Sequence, residues 1–271
     1  MSDEQELQRE ITRAALIALD GRGFALAGSG AIREHGIVDR PTRDVDLFTN
    51  DLDPAAFESA VDQLTSELRG AGHTVDELRR APQFAQLQIR TESGQSVDMD
   101  LAVDWRELEP VALSVGPVLS LEDAVGSKVG ALYSRAAERD FLDVDSIRAS
   151  GHFTDAQLMT AAAERDAGFD TVMFAGQLEQ VNRVRPEMVA RYGVDADQLV
   201  ALQGRLTGWA AELRGQAQPT ATEEQVERVQ KFANLDVPLR GSDLTKPPNS
   251  STKNAGHDTT MNHDTGMGRQ R

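Results

Sequence analysis

The stretch from Phe24 to Phe48 constrains the fold more than any other, because turn chemistry, charge placement and strand periodicity agree within it. It begins with a short apolar run, Phe24 to Ala27, that predicts a buried strand and stops at Gly28-Ser29-Gly30. Small residues let backbone N–H groups approach an anion closely, and a helical turn after the glycines would aim further N–H groups at it. The turn therefore suits a phosphate, although a Gly-Ser-Gly by itself is most often only a turn.

Two carboxylates follow on the next predicted strand. Asp44 and Asp46 alternate with Val45 and Leu47, so both aspartates should project from one face while the apolar residues enter the core. Their Cα atoms would be roughly 7 Å apart. Like charges this close are costly unless a cation lies between them, and Mg²⁺ is the hard, oxygen-preferring ion that fits. The alternative is a solvated strand face without a metal.

Composition excludes several classes of protein. The 271 residues include no cysteine, which rules out disulfides and thiolate metal sites and fits a reducing compartment. No apolar run approaches the ~20 residues needed to span a bilayer, and the charged amino terminus is unlike a signal peptide. We therefore expect a cytoplasmic protein with no membrane partner. The net charge of −16 argues against a broadly basic nucleic-acid-binding surface but leaves a local basic patch open.

The remaining periodicity predicts an α+β fold. Amphipathic helices are expected over Glu4 to Leu19 and after the Asp53-Pro54 cap. Strands are expected at 73–78, 84–90 and 96–105, and the chain from 154 to 213 is mostly helical.

The strand over 96–105 carries a further pair of acids. Asp98 and Asp100 fall on its polar face, opposite Val97 and Met99. A carboxylate there could deprotonate an attacking hydroxyl or complete a metal site, or the face could simply be solvated. Asp100 is the preferred candidate of the two.

A helix predicted after Ser120 carries Lys128 within an otherwise apolar stripe. A buried ammonium needs an anionic partner, whereas a snorkelling lysine does not. Asp140 and Asp143 then lie three residues apart on a following helix and supply acids on one face.

These motifs, in this order, resemble the nucleotidyltransferase fold and, within it, the AbiEii/AbiGii-type toxins and their MenT-like relatives. The resemblance rests on Gly-Ser, on Arg-x-Thr-x-Asp-x-Asp-Leu from Arg40, on the lysine helix, and on Arg-Asp-x-x-Asp. It implies a metal-binding pair at Asp44 and Asp46. It also implies contacts to the nucleotide from Gly28, Ser29, Arg40, Thr42 and Lys128. It implies that the fourth-motif acid is Asp143, with Asp140 as the neighbouring candidate.

The resemblance also implies a polymerase-beta-like fold with a small mixed sheet and a helical C-terminal half. We expect a core over 1–118, a helical part over 119–236 contributing Lys128 and Asp143, and a disordered tail over 237–271. The implied activity is Mg²⁺-dependent transfer of a nucleoside monophosphate from an NTP to an acceptor hydroxyl, at the 3′ end of tRNA, with a cognate AbiEi-like antitoxin. Two alternatives are transfer to a small cationic molecule such as an aminoglycoside, and NTP binding without catalysis.

Overall fold

A computed structural model describes residues 3–38, 40, 42 and 44–217. In this part of the chain the helices are α1 (Asp3–Ala18), α2 (Gly28–Glu34), α3 (Pro54–Gly70), α4 (Leu121–Arg135), α5 (Glu138–Ala149), α6 (Asp155–Arg165), α7 (Thr171–Leu178), α8 (Pro186–Val189) and α9 (Ala196–Ala217). The strands are β1 (Ala25–Leu26), β2 (Asp44–Thr49), β3 (Thr74–Ala81), β4 (Phe84–Arg90), β5 (Ser96–Val103), β6 (Val111–Leu113) and β7 (Gly116–Val118). Two 3₁₀ helices, Glu179–Arg183 and Ala190–Tyr192, flank α8.

The seven strands form one mixed sheet in the order β3-β4-β5-β2-β1-β7-β6. β2 pairs with β5 in parallel and with β1 antiparallel, and β1 pairs with β7 in parallel. The other neighbouring pairs are antiparallel. The predicted α+β class is therefore confirmed.

The central strands bury apolar side chains on one face and carry polar side chains on the other, as their alternating sequence predicts. Val45 and Leu47 of β2 and Leu101 of β5 are buried in the hydrophobic core. α1 and α3 pack against each other and on the sheet, and Phe57 and Leu64 of α3 belong to the same core. Asp44, Asp46 and Phe48 of β2, on the opposite face, are half-buried, so this face can carry polar groups.

Local signals place the helix that follows β2. The Asp53 side chain accepts a hydrogen bond from the Ala55 N–H, and Pro54 occupies the first helical position, where no N–H is needed. The same reasoning locates α4, because the Ser120 side chain accepts from the Asp123 N–H.

The helices after residue 118 pack on one another and on α2. α4 contacts α2, α5 and α6, and α9 contacts α5 and α7. The fully buried Trp209 ring of α9 meets the Phe174 ring edge-on at 5.5 Å between centroids. This packing fixes where α4 and α5 present their charged side chains.

The β6–β7 hairpin was not expected from the sequence, since its strands are only three residues each. β7 ends at Val118, where the sequence places the boundary between a core and a helical part; that division stays a prediction. The expected tail over 237–271 lies outside the described residues. None of the helices described here is both long enough and apolar enough to cross a membrane.

Candidate active site

Two neighbouring strands bring four acids to one face of the sheet, and three of them line a cavity. The parallel register of β2 and β5 sets Asp44 beside Asp98 and Asp46 beside Asp100. Asp44, Asp46 and Asp100 all line a cavity of about 720 Å³. Asp98 does not line it, and one of its oxygens accepts a hydrogen bond from the Gln88 side chain at 3.0 Å. The geometry therefore separates the two acids of β5.

The carboxylate of Asp46 occupies space that a side chain at residue 28 would fill. A Cβ built on Gly28 would lie 1.8 Å from Asp46 Oδ2, and Gly28 has φ +57°, a left-handed conformation that glycine adopts without strain. The Ala27 N–H also donates to the Asp46 carbonyl oxygen at 2.8 Å. The glycine at the start of α2 is thus required for the position of the strand carboxylate.

The acids of this face are poorly neutralised. Burial raises the pKa of Asp46; Lys128 opposes the shift and Asp44 adds to it. Burial, together with Asp46 and Asp44, raises the pKa of Asp100 to about 6. Asp100 Oδ1 is buried without a hydrogen-bond partner. A buried acceptor with nothing to bind is costly, so this face is suited to a ligand that brings positive charge or a donor.

Asp44 differs from its neighbours because it already has a cationic partner. Arg139 Nη1 lies 3.0 Å from Asp44 Oδ2, with each side chain more than a third exposed. An ion pair this accessible is weak, so a stronger cation can replace the guanidinium.

At the wall of the cavity, the largely buried Lys128 pairs with Asp143, which has no exposure, with 2.8 Å between Nζ and Oδ2. The Ser29 hydroxyl donates to Asp143 Oδ2 at 2.9 Å and accepts from Lys128 Nζ at 2.8 Å and from Arg40 Nη2 at 2.7 Å. These three contacts use the whole hydrogen-bonding capacity of a hydroxyl. Lysine has three N–H donors, and two are used here, so one N–H of Lys128 remains for an anion in the cavity.

Asp143 is enclosed by this network. Its side chain has no solvent exposure, and Arg40 Nε donates to its Oδ1 at 2.6 Å. Burial raises the pKa of Asp143, but Lys128 and Arg40 outweigh that effect and hold it below its ordinary value. A carboxylate so firmly ionised and surrounded by donors is a weak proton acceptor. Its geometry suits the positioning of Lys128 and Arg40.

Asp140, the other candidate for the fourth-motif acid, has a different set of partners. Its oxygens accept from Arg135 Nε and Nη2 at 2.8 and 2.9 Å and from the Ala137 N–H at 3.2 Å. Asp140 therefore holds Arg135 and caps the start of α5, whereas Asp143 holds Lys128.

One cavity collects most of the residues singled out by their motifs. It is lined by Gly28, Ser29, Arg40, Thr42, Asp44, Asp46, Asp100 and Lys128. Asp143 supports this set from below without lining the cavity, and Asp98 and Asp140 lie outside it. Four distant segments of the chain thus converge on one space, as the motif order predicts.

Sequence reasoning missed part of the cavity wall. Two guanidinium groups contact the Tyr192 ring, with Arg40 Cζ 5.0 Å and Arg191 Cζ 4.9 Å from its centroid. Arg139 and Arg165 also line the cavity. The Arg139-Asp140 dipeptide sits in the fourth motif and offered a signal, but no local pattern marks Tyr192 or Arg165.

The donor set fits a hard divalent cation, since three carboxylates share one face and Asp100 Oδ1 lacks a partner. Among the residues that the structure describes, no group of three or more His, Cys, Asp or Glu side chains is arranged to hold a metal ion as it stands. Asp44 would have to leave Arg139 to join such a set.

The mixed sheet with its acidic central strands defines a nucleotidyltransferase fold. A protein of Helicobacter pylori assigned as a nucleotidyltransferase superposes with a TM-score of 0.51 at 15% identity, over 80% of this chain and 97% of that one. The family model described as "Nucleotidyl transferase AbiEii toxin, Type IV TA system" matches residues 12–234. The chain therefore belongs to the AbiEii family of nucleotidyltransferase toxins of type IV toxin–antitoxin systems, which confirms the resemblance seen in the motifs.

Two further solved structures are similar at lower TM-scores. JHP933 from Helicobacter pylori has a TM-score of 0.48 at 15% identity, over 86% of this chain and 100% of that one. MenT4, a nucleotidyltransferase toxin from Mycobacterium tuberculosis, has a TM-score of 0.45 at 16% identity, over 82% and 90%. No curated protein matches the chain at a significant level.

Proposed function

We propose that this chain transfers a nucleoside monophosphate from an NTP to a hydroxyl at the 3′ end of tRNA, with Mg²⁺ as cofactor. The observation that carries the proposal is the single cavity in which Asp44, Asp46 and Asp100 face Lys128. Carboxylates for a divalent ion and an ammonium for phosphate oxygens are the two components that nucleotidyl transfer requires.

Asp44 and Asp46 would hold the metal, and Asp100 supplies the third carboxylate from the neighbouring strand. When bound, Mg²⁺ supplies Lewis-acid neutralisation of the charge on the triphosphate. Asp44 becomes available when Arg139 turns away, and that guanidinium is then near enough to the cavity to meet phosphate oxygens.

Lys128 binds the triphosphate with its remaining N–H, while Ser29 and Asp143 fix the direction of its ammonium. The backbone N–H groups at Gly28 and Ser29 open α2 and have no acceptor within the helix, so they supply further donors. These contacts would hold the α-phosphorus near the carboxylates for in-line attack by a hydroxyl, which forms the new O–P bond as the bond to the departing pyrophosphate breaks.

Asp100 lies on the far side of Asp46 from Ser29, because β5 and β1 flank opposite edges of β2. We assign Asp100 to accept the proton of the attacking hydroxyl or to bind the metal, because its Oδ1 has no hydrogen-bond partner among the described residues. Either task requires an oxygen without a protein partner, which Asp100 has and Asp143 lacks.

The charge around the cavity supports a polyanionic acceptor. Six cationic side chains line it, although the whole chain carries 28 Lys and Arg against 44 Asp and Glu. They are Arg40, Lys128, Arg135, Arg139, Arg165 and Arg191. Six acidic side chains, those of Glu4, Asp44, Asp46, Asp100, Asp104 and Asp166, line it as well, so the cavity is less acidic than the chain as a whole and repels a polyanion less. Membership of the family adds a cognate antitoxin as a partner, and we propose that the toxin acts in the cytoplasm.

The deciding experiment incubates the purified full chain with each labelled NTP and total tRNA, with and without Mg²⁺. Mg²⁺-dependent label on tRNA, absent in the Asp46→Asn variant, is the expected result. Label on an aminoglycoside but not on tRNA would show that the proposed acceptor is wrong. NTP binding without any transfer would show that the protein binds the nucleotide without catalysis.

A further inference from the structure

Beyond the carboxylates, the same face of the sheet carries an aromatic row. Ala102 of β5 pairs with Phe48 of β2 on one side and with Phe84 of β4 on the other. Phe48 and Ala102 lie two residues after Asp46 and Asp100, so all of them project from one face. We call the row Phe48–Ala102–Phe84 the aromatic slot.

The aromatic slot opens into the cavity. All three residues are half-buried and line it. Their chain neighbours on the opposite face, Leu47, Ala85 and Leu101, have no exposure. Phe84 is therefore not part of the core, and Phe48 packs against the edge of the core while staying half-buried on the cavity side.

The width of the slot fits one planar ring. Neighbouring strands are about 4.8 Å apart, which puts the Phe48 and Phe84 backbones about 10 Å apart with only a methyl group between them. A flat ring in contact with an aromatic ring on each side needs about 7 to 8 Å, at about 3.5–4.0 Å per contact. Among the described residues, Phe48 and Phe84 do not pair with each other as rings.

A cation adjoins the slot on its outer side. The Arg79 guanidinium lies over the Phe84 ring, with Cζ 5.3 Å from the centroid. Arg79 is exposed and pairs with Gln86 in the β3–β4 register. Aromatic rings next to a guanidinium are how proteins hold single-stranded nucleic acid, with bases stacked and phosphates neutralised.

The position of the slot in the sheet assigns it to one substrate. Ser29 follows β1 on one side of β2, whereas Ala102 and Phe84 lie on β5 and β4 on the other side. In-line displacement puts the attacking hydroxyl and the departing pyrophosphate on opposite sides of the α-phosphorus. If the triphosphate binds at Ser29 and Lys128, as the proposed function requires, the slot lies on the acceptor side.

We propose that the aromatic slot binds the terminal nucleobase of an RNA acceptor by stacking it between Phe48 and Phe84 over Ala102. Only a small residue at position 102 leaves this space open. The stacked base then holds its ribose hydroxyl beside Asp100, one row along the same strand.

The test measures steady-state transfer by the full chain to two synthetic RNAs that differ only in the terminal nucleotide, which either carries its base or is abasic. For Phe84→Ala, we expect KM for the intact RNA to rise about 5- to 150-fold, the range that stacking of one base supplies, with KM for the NTP unchanged. For the wild-type protein, KM should be higher for the abasic RNA than for the intact RNA by a similar factor. For Phe84→Ala, KM should be the same for the abasic and the intact RNA, because the stacking partner of the base is already absent.

Three further variants separate loss of stacking from a general effect on folding. Phe84→Trp keeps a stacking surface and should retain the low KM for RNA, whereas Ala102→Leu fills the slot and should raise it. Leu78→Ala changes an exposed apolar residue of β3 outside the cavity and should behave as wild type. Equal losses on both RNAs in Phe84→Ala, or an unchanged KM, would overturn the slot while leaving transfer itself intact. A wild-type protein that labels no acceptor would overturn the proposed function together with the slot.

Discussion

Asp46 on β2 is half-buried and lines the cavity, whereas Asp143 on α5 has no solvent exposure, and the charges around the two acids are opposite. Asp143 is held by Lys128, Arg40 and Ser29, and its pKa is lowered. Asp46 accepts no side-chain hydrogen bond within the described chain, shares its face with other acids, and has a raised pKa. The difference teaches that the pKa of an acid depends on the counter-charges that the fold places beside it as well as on its burial.

The largest effect should come from Asp46→Asn. We expect a loss of about 1000-fold in nucleotidyl transfer, because one ligand of the proposed metal is gone. The melting temperature should stay the same or rise, since the variant removes a buried charge next to like charges. Single-turnover assays and thermal unfolding of the same preparation measure both quantities, and a marked fall in melting temperature would contradict this view of Asp46.

Asp143→Asn should lower the stability of the fold, whereas Asp46→Asn should not. Removing one partner of a buried ion pair leaves the Lys128 ammonium without its carboxylate and should cost about 3–5 kcal/mol in the free energy of unfolding. Urea denaturation measures the loss. Asp145→Asn, two residues along α5, is the matched control: its partner Arg205 is half-exposed, so the cost should stay below about 1 kcal/mol.

The sign of the pH dependence sharpens the same comparison. Because the folded-state pKa of Asp143 is lowered, its stabilisation is complete above the unfolded value of about 3.9 and is lost as pH falls through the lower folded value. The gap in unfolding free energy between wild type and Asp143→Asn should therefore narrow below about pH 4. A constant gap down to the acid transition would argue against the ion pair as its source.

Gly28→Ala tests how the acidic face is kept open. The added Cβ would overlap Asp46 Oδ2 and displace it, and displacement of a reacting group costs about 100-fold in rate. The left-handed backbone adds about 1–2 kcal/mol of strain. Gly21→Ala supplies the control, because Gly21 has φ +72° with nothing within 4 Å of the added Cβ. It should lose similar stability and keep full activity; equal activity in the two variants would dismiss the steric argument.

The smallest effect should come from Arg139→Gln. Freeing Asp44 from an exposed guanidinium should tighten Mg²⁺ binding without nucleotide about 1.5- to 5-fold, the range expected for an exposed ion pair. Calorimetric titration with Mg²⁺ measures it. Arg80→Gln, which breaks a surface pair with Asp62, should change nothing. Weaker binding in Arg139→Gln would show that Arg139 assists the metal instead of competing with it.

Local sequence signals were sufficient for the elements around the site. Alternation predicted β2 with Asp44 and Asp46 on one face, and the apolar stripe around Lys128 left two alternatives, an ammonium paired with an acid or one that reaches solvent. Neither signal identified the partners. The choice between Asp140 and Asp143 depended on which cation each helix turn meets, and the β6–β7 hairpin is too short for periodicity to reveal.

By itself, the sequence determined which residues face the same way, because alternation along a strand and spacing along a helix are properties of adjacent residues. It also determined the family, through motifs in a fixed order. Only the tertiary structure decided which charges are neutralised and which aromatic side chains meet across strands, since those contacts join segments far apart in the chain. For example, Asp143 is paired with Lys128, whereas Asp46 is open to the cavity, and both facts follow from contacts between distant segments.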